Sequence, residues 1–259
     1  MIQNEIMKVV EQRELTESIF ELTLQGSLAT DIKEPGQFVH VKTANGIAPL
    51  LRRPISISSY DASNSTMTMI YRATGKGTKL LSKKKAGELV DILGPLGNGF
   101  PVGQVNKGES VVIVGGGIGV PPLYQLSKNL TEKGATVTQI LGFQSREAVF
   151  YEQEFARLGD TYVLTADGSY GRKGFVTAQL EKLNMAYDFM YACGPTPMLR
   201  ALEKNYGGDN LYLSLEERMG CGIGACFACV CHTADDPSGS SYRKVCSDGP
   251  VFRSGEVII

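Results

Sequence analysis

The sequence predicts a β-barrel, then an α/β unit built on a parallel sheet, then a small cysteine-rich tail. Three observations carry this reading. Short alternating runs fill residues 1–102, apolar runs alternate with helical stretches through 103–210, and five of the six cysteines lie in 211–259.

The first segment reads as antiparallel β. Alternating runs recur at 20–24, 38–42, 55–58 and 67–71, separated by polar and Gly/Pro breaks as in a closed barrel. Residues 75–85 suggest a turn and a short helix, and 91–100 a further strand running into a glycine-rich loop.

The second segment changes period. A continuous apolar strand at 111–114 meets a glycine run, followed by a helix over 122–133. Strands then fall at 137–143, 162–165 and 189–193, with helices at 151–158 and 176–183 between them. This alternation predicts a parallel sheet with helices on both faces. The tail, 211–259, is too short for a large core of its own, so bound metal is expected to help hold it together.

Composition narrows the function classes. The chain has 259 residues, 42% of them hydrophobic, which suits two domains or one large one. A net charge of −1 gives no electrostatic basis for binding nucleic acid or an anionic membrane. Spanning a bilayer takes roughly 18–20 apolar residues. The longest candidate, 111–123, is broken by four glycines and two prolines. The N-terminal residues lack a basic-then-apolar signal pattern, and the cysteine density is ordinary. The expectation is a cytoplasmic protein with reduced thiols. The lysine run at 83–85 reads as a solvated face.

The cysteine spacing is the sharpest chemical signal. Cys221-x4-Cys226-x2-Cys229 matches the plant-type pattern for a [2Fe–2S] cluster, and Cys246 follows after sixteen residues as the fourth ligand. Glycine and alanine between the thiols let a loop wrap a compact cluster. A four-thiolate zinc site is the alternative, but it ordinarily uses two short knuckles set well apart. Cys231, two residues past the third ligand, leaves a thiol exchange conceivable.

Two further groups of residues suit nucleotides. Arg53, Pro54, Ile55 and Ser56 place a bidentate cation beside a hydroxyl, a sensible pair for a pyrophosphate. Ile70, Tyr71 and Arg72 add a second arginine and a ring that could pack on a flat heterocycle. Gly77 and Thr78 open a helix whose N–H groups favour an anion. Alone, a strand arginine is commonly a surface residue and Gly-x-Gly-Thr a plain turn; their order gives them weight. Downstream, Gly115, Gly117 and Gly119 sit at a strand-to-helix junction, where dinucleotides bind in such sheets. From Gly117 the pattern is Gly-x-Gly-x-x-Pro, ending at Pro122, rather than the ordinary dinucleotide fingerprint. Proline is tolerated at a helix start. Asp167 opens a turn after the third strand of this unit. Cys193, Gly194 and Pro195 follow the last, and Cys193 reads equally well as a small buried apolar residue. No acidic residue marks a choice of NAD, and Arg146 nearby could suit a phosphate.

The order Arg-Pro-Ile-Ser, Tyr-Arg, Gly-x-Gly-Thr, glycine run, Cys-Gly-Pro resembles the ferredoxin–NADP reductase superfamily. With the cysteine block after Glu217 and Arg218, nearly the whole chain is similar to the electron-transfer subunits of class 1B dihydroorotate dehydrogenases. The resemblance implies FAD held in the barrel by residues 53–56, 70–72 and 77–78, and a [2Fe–2S] cluster on Cys221, Cys226, Cys229 and Cys246. It implies NAD at the glycine run, with Cys193, Gly194 and Pro195 close to the nicotinamide. It implies an FMN-containing catalytic partner that oxidises dihydroorotate in pyrimidine biosynthesis, with two copies of each subunit. No general base is then expected here. His40 and His232 are expected to be structural or surface residues. The competing readings are the alpha subunit of NADH-dependent ferredoxin:NADP oxidoreductase, which shares the three cofactors, and a zinc-ribbon adaptor without redox chemistry.

Overall fold

Alternate inward-facing side chains roll the first six strands into a closed barrel. The computed structural model describes residues 1–44, 46 and 48–259. β1 (Gln3–Thr16) turns back on β2 (Ile19–Gln25) through a hairpin in which Ser18 takes a φ of 62°. β3 (Phe38–Lys42), β4 (Arg53–Asp61) and β5 (Thr66–Arg72) follow, and α1 (Lys76–Leu81) leads to β6 (Leu89–Leu96). The barrel order is β1-β2-β5-β4-β3-β6, antiparallel throughout. Met7, Leu22, Val39, Ile57, Met69 and Ile92 fill its interior, one residue in two along each strand, as the pleat dictates.

The second layer is a parallel sheet. Its elements are β7 (Ser110–Gly116), α2 (Pro122–Glu132), β8 (Thr136–Phe143), α3 (Glu152–Ala156), β9 (Asp160–Thr165) and β10 (Arg172–Lys173). Then come α4 (Val176–Leu183), β11 (Phe189–Cys193), α5 (Thr196–Tyr206) and β12 (Leu211–Ser214). Residues 111–114 are wholly buried, as a strand covered on both faces requires. α2 opens on Pro122, whose missing N–H costs nothing there. It lays Leu123, Leu126 and Leu130 on the sheet, the spacing of one helical face.

The tail supplies β13 (Val230–His232), β14 (Tyr242–Lys244) and β15 (Val251–Arg253). β13 and β14 pair as a separate ribbon, while β15 returns antiparallel to β12. The sheet order is β10-β9-β8-β7-β11-β12-β15. The boundary expected at 210 therefore falls within this sheet, because the open edge of β12 finds its hydrogen-bond partners in the tail. Cys229, Val245, Cys246 and Phe252 share a core with the parallel sheet.

The chain runs outward from β7 to β9, then returns to β11 on the other side of β7. Such a switch in strand order leaves a crevice beyond the C-terminal strand ends. The barrel faces this crevice. The backbone N–H of Tyr60 donates to Gln125 Oε1 on α2 at 3.2 Å, and the Tyr151 hydroxyl donates to Glu21 on β2.

Candidate functional site

Residues 215–229 run as an irregular loop from β12 to β13 and carry three of the cysteines. The ribbon aligns Val230 with Lys244, and the Val245 N–H donates to the Cys229 carbonyl at 2.9 Å. This brings Cys229 and Cys246 together at the ribbon's end, with their thiols in hydrogen-bond reach. Cys221 and Cys226 form a second pair: the Cys226 N–H donates to Cys221 Sγ at 3.3 Å. The Gly224 N–H donates to Cys246 Sγ, also at 3.3 Å. Burial opposes ionisation of Cys221, but the N–H groups of Ile223, Cys226 and Ala225 outweigh it and draw the thiol down to about 6. Cys246 moves the other way, to about 12, through burial and its contact with Cys229.

None of the six cysteines is in a disulfide. Among the described residues, no three His, Cys, Asp or Glu side chains gather around one ion-sized position. A two-iron cluster takes four thiolates shared between its irons, and the two cysteine pairs suit that demand. Cys231 lines the cavity described below, its thiol pushed up to about 11 by burial.

The first nucleotide segment forms a cradle at the start of α1. A Cβ on Gly77 would stand 2.9 Å from Arg53 Nε and 3.0 Å from Thr43 Oγ1. Thr43 is buried, and its hydroxyl has no partner among the described residues. A guanidinium, an orphan hydroxyl and a bare backbone thus converge, which suits a phosphate. Thr78 caps its own helix, its Oγ1 accepting from the Gly75 N–H at 3.2 Å.

The second feature is a gap in the barrel. β4 and β5 pair only between Ile57↔Met69 and Asp61↔Thr66. Residues 53–56 pair with β3 and 70–72 with β2, so both strands present open backbone edges to one slot. Backbone donors and acceptors in such a slot fit a heterocycle with a polar edge. Tyr71 does not offer its ring there. The ring is buried in the barrel against Phe20, with centroids 6.1 Å apart, and its hydroxyl donates to Gln12 Oε1 at 2.9 Å. Register turns Tyr71 inward and leaves Arg72 outward.

At the crevice, the loops after β7 and β11 interlock without room for side chains. A Cβ on Gly119 would lie 2.4 Å from the Cys193 carbonyl oxygen, and one on Gly194 would lie 2.5 Å from Met198 Cε. A Cβ on Gly115 would lie 2.8 Å from Val120 Cγ2. Gly117 has a φ of +54°, next to the side chain of Arg72. A cavity of about 570 Å³ opens here, bordered by Arg72, Gly117, Pro195, Glu216, Cys231 and Ile259. The Cys193 thiol points into the core and is held protonated by burial, with Glu216 adding to the effect. Its carbonyl, by contrast, lies against Gly119. Glu216, Thr43 and His40 were not among the expected site residues. Glu216 lies on the cavity rim, its carboxyl raised by burial and drawn back by Arg72.

Beyond β8, the Arg146 guanidinium lies over the Tyr170 ring at 5.3 Å, and the Tyr170 hydroxyl donates to Glu152. Asp167 caps its own turn by accepting from the Ser169 N–H and hydroxyl.

The family model for the iron-sulfur cluster binding domain of dihydroorotate dehydrogenase B matches residues 216–258, and that for an oxidoreductase NAD-binding domain matches 113–204. The chain is 60% identical to the dihydroorotate dehydrogenase B (NAD(+)) electron transfer subunit of Bacillus cereus, over 100% of both chains. The subunit of the same name from Bacillus anthracis gives the same identity and coverage. This chain belongs to that family. Dihydroorotate dehydrogenase B electron transfer subunits are oxidoreductase components, and the matched iron–sulfur region spans both cysteine pairs. The NAD-binding match spans the interlocked glycine loops. Among solved structures, that of an NADH-dependent reduced ferredoxin–NADP oxidoreductase, described for flavin-based electron bifurcation, superposes with a TM-score of 0.85. It is 28% identical, over 98% of this chain and 90% of that one. The two electron-transfer families left open by sequence share a fold, and full-length identity favours the dihydroorotate dehydrogenase B subunits. Among the described residues no helix is long and apolar enough to cross a membrane.

Proposed function

We propose that this chain is the electron-transfer subunit of an NAD-dependent dihydroorotate dehydrogenase in pyrimidine biosynthesis. It works with an FMN-containing catalytic subunit, two copies of each, in the cytoplasm. The observation that carries this reading is convergence. Arg72 from the flavin strand, Gly117 from the nicotinamide loop, and Glu216 and Cys231 from the cysteine segment border one cavity.

When bound, a [2Fe–2S] centre exchanges single electrons, FAD exchanges one or two, and NAD⁺ accepts a hydride. Cys221, Cys226, Cys229 and Cys246 hold the iron. Arg53, Thr43 and the Gly77–Thr78 backbone hold the flavin's pyrophosphate. The open edges of Pro54, Ile55 and Ser56, and of Ile70 and Tyr71, take its ring. Gly115, Gly119 and Gly194, with the Cys193 carbonyl, lock the two loops together, and Gly117 and Pro195 border the cavity that takes the nicotinamide nucleotide. Arg72 ends the flavin strand next to Gly117 and orients the nucleotides bound on either side. We accordingly assign flavin, nicotinamide and cluster functions to residues 1–102, 103–210 and 211–259. No side chain here is assigned to proton transfer from dihydroorotate.

Ile223 and Phe227 stand 48% and 60% exposed on the cysteine loop, and this supports docking of the catalytic partner at the cluster. Six free thiols suit a reducing compartment. The test is co-expression with an FMN-containing dihydroorotate dehydrogenase. A stable complex that reduces NAD⁺ with dihydroorotate is expected. Failure to associate, together with ferredoxin-coupled NADP(H) activity, would move the chain to the other electron-transfer family.

A further inference from the structure

His40 on β3 is wholly buried, yet neither ring nitrogen has a partner among the described residues. Buried polar groups are nearly always hydrogen-bonded, so an orphaned imidazole calls for a ligand. Its surroundings identify one. A Cβ on Gly222 would lie 2.6 Å from His40 Cε1, 2.8 Å from Nε2 and 2.9 Å from Nδ1. The face of the ring, at its nitrogen-bearing end, thus lies against Gly222, the residue after Cys221. Gly222 has a φ of +74°, and the absence of a side chain there is what admits the ring. Across the strand pair, His40 is in register with Pro54. The ring therefore projects from the neighbour of the flavin strand onto the cysteine loop.

We propose that His40 donates a ring N–H hydrogen bond to a sulfur of the cluster held by the Cys221 loop and thereby raises the cluster's reduction potential. This rests on the cluster assignment made above. A neutral imidazole always carries one N–H, and sulfur in an iron–sulfur centre is an acceptor whose hydrogen bonds tune its potential. Burial, with Arg52 nearby, holds the ring neutral. A donor favours the more negatively charged, reduced cluster, which sets the direction of the effect.

The chain has two histidines, His40 and His232, so the contact can be read without altering His40. In the His232→Gln protein, labelled with ¹⁵N only at histidine, pulsed EPR of the reduced cluster is expected to show a ring-nitrogen coupling. In redox titrations followed by EPR, His40→Phe is expected to lower the cluster potential, and His40→Gln, which keeps a donor, to recover most of it. The flavin potential, followed optically in the same samples, is expected to stay put. Absence of the ¹⁵N coupling overturns the proposal, as does an unchanged cluster potential in iron-loaded His40→Phe, or a shift confined to the flavin. A parent protein that binds no iron would instead overturn the cluster assignment, and this proposal with it.

Discussion

The Arg53 guanidinium rests on Gly77 so closely that its Nε is 2.9 Å from where a Cβ would be. Strand β4 and the start of α1 are thereby fixed as the two walls of one cradle, with the orphan Thr43 hydroxyl as its floor. Thr43→Val removes that hydroxyl with almost no change in shape. A hydrogen bond to a charged group contributes roughly 1.5–3 kcal/mol, so FAD affinity should fall on the order of tenfold to a hundredfold. The flavin-free protein should melt no lower, since an unsatisfied buried oxygen has been removed. Gly77→Ala should weaken FAD more, by displacing Arg53. FAD titrations followed by flavin absorbance and fluorescence check both, with iron content expected to be unchanged.

Local patterns in the sequence found what local physics decides. Helix α4 falls on residues 176–183 and β11 on 189–193, as their apolar spacing indicates. β1 escaped notice because Ile6 and Val10 on its outer face are 53% and 45% exposed, which erases the polar–apolar alternation. α5 was masked by Pro195 and Pro197, although prolines are tolerated in a first helical turn. The closeness of Cys221 and Cys226 was legible because a short glycine-rich loop joins them. The orientation of Tyr71 was not, because which face a strand residue takes depends on register with distant strands. Thr43 and His40 acquire meaning only through contacts with Gly77 and Gly222, which no spacing encodes.

The β4–β5 turn holds the two strands that splay to form the flavin slot. Asp61 ties it, accepting from the Ser63 hydroxyl at 2.6 Å, the Asn64 side chain at 2.6 Å and the Ser63 N–H at 2.9 Å. The Ser63 and Asn64 bonds draw its carboxyl down to about 2. The folded chain therefore holds this proton less tightly than the unfolded chain, whose aspartates titrate near about 3.9. The stabilisation is present above about pH 4 and is lost as pH falls toward 2. Asp61→Ala should lower the melting temperature near neutral pH, and the gap to the parent should close progressively on acidification. Melting curves from neutral pH down to about pH 2.5 measure it; a gap independent of pH would mean that the side chain acts without its charge.

The two cysteine pairs make different demands from the spare thiol. Cys226 lies against Cys221, and Cys229 against Cys246, so losing any one leaves an iron short of a sulfur ligand. Cys226→Ser should bleach the visible cluster absorption and remove most of the iron. Flavin should be retained, because residues 53–56 and 77 lie in the barrel rather than in the cysteine loop. Cys231 instead borders the cavity beside Arg72 and Glu216. Cys231→Ser should keep both iron atoms and an unchanged EPR signal. Iron and sulfide analysis of the purified variants, alongside their spectra, decides the matter. Iron loss in Cys231→Ser with retention in Cys246→Ser would move the fourth ligand from the end of the ribbon to its first strand.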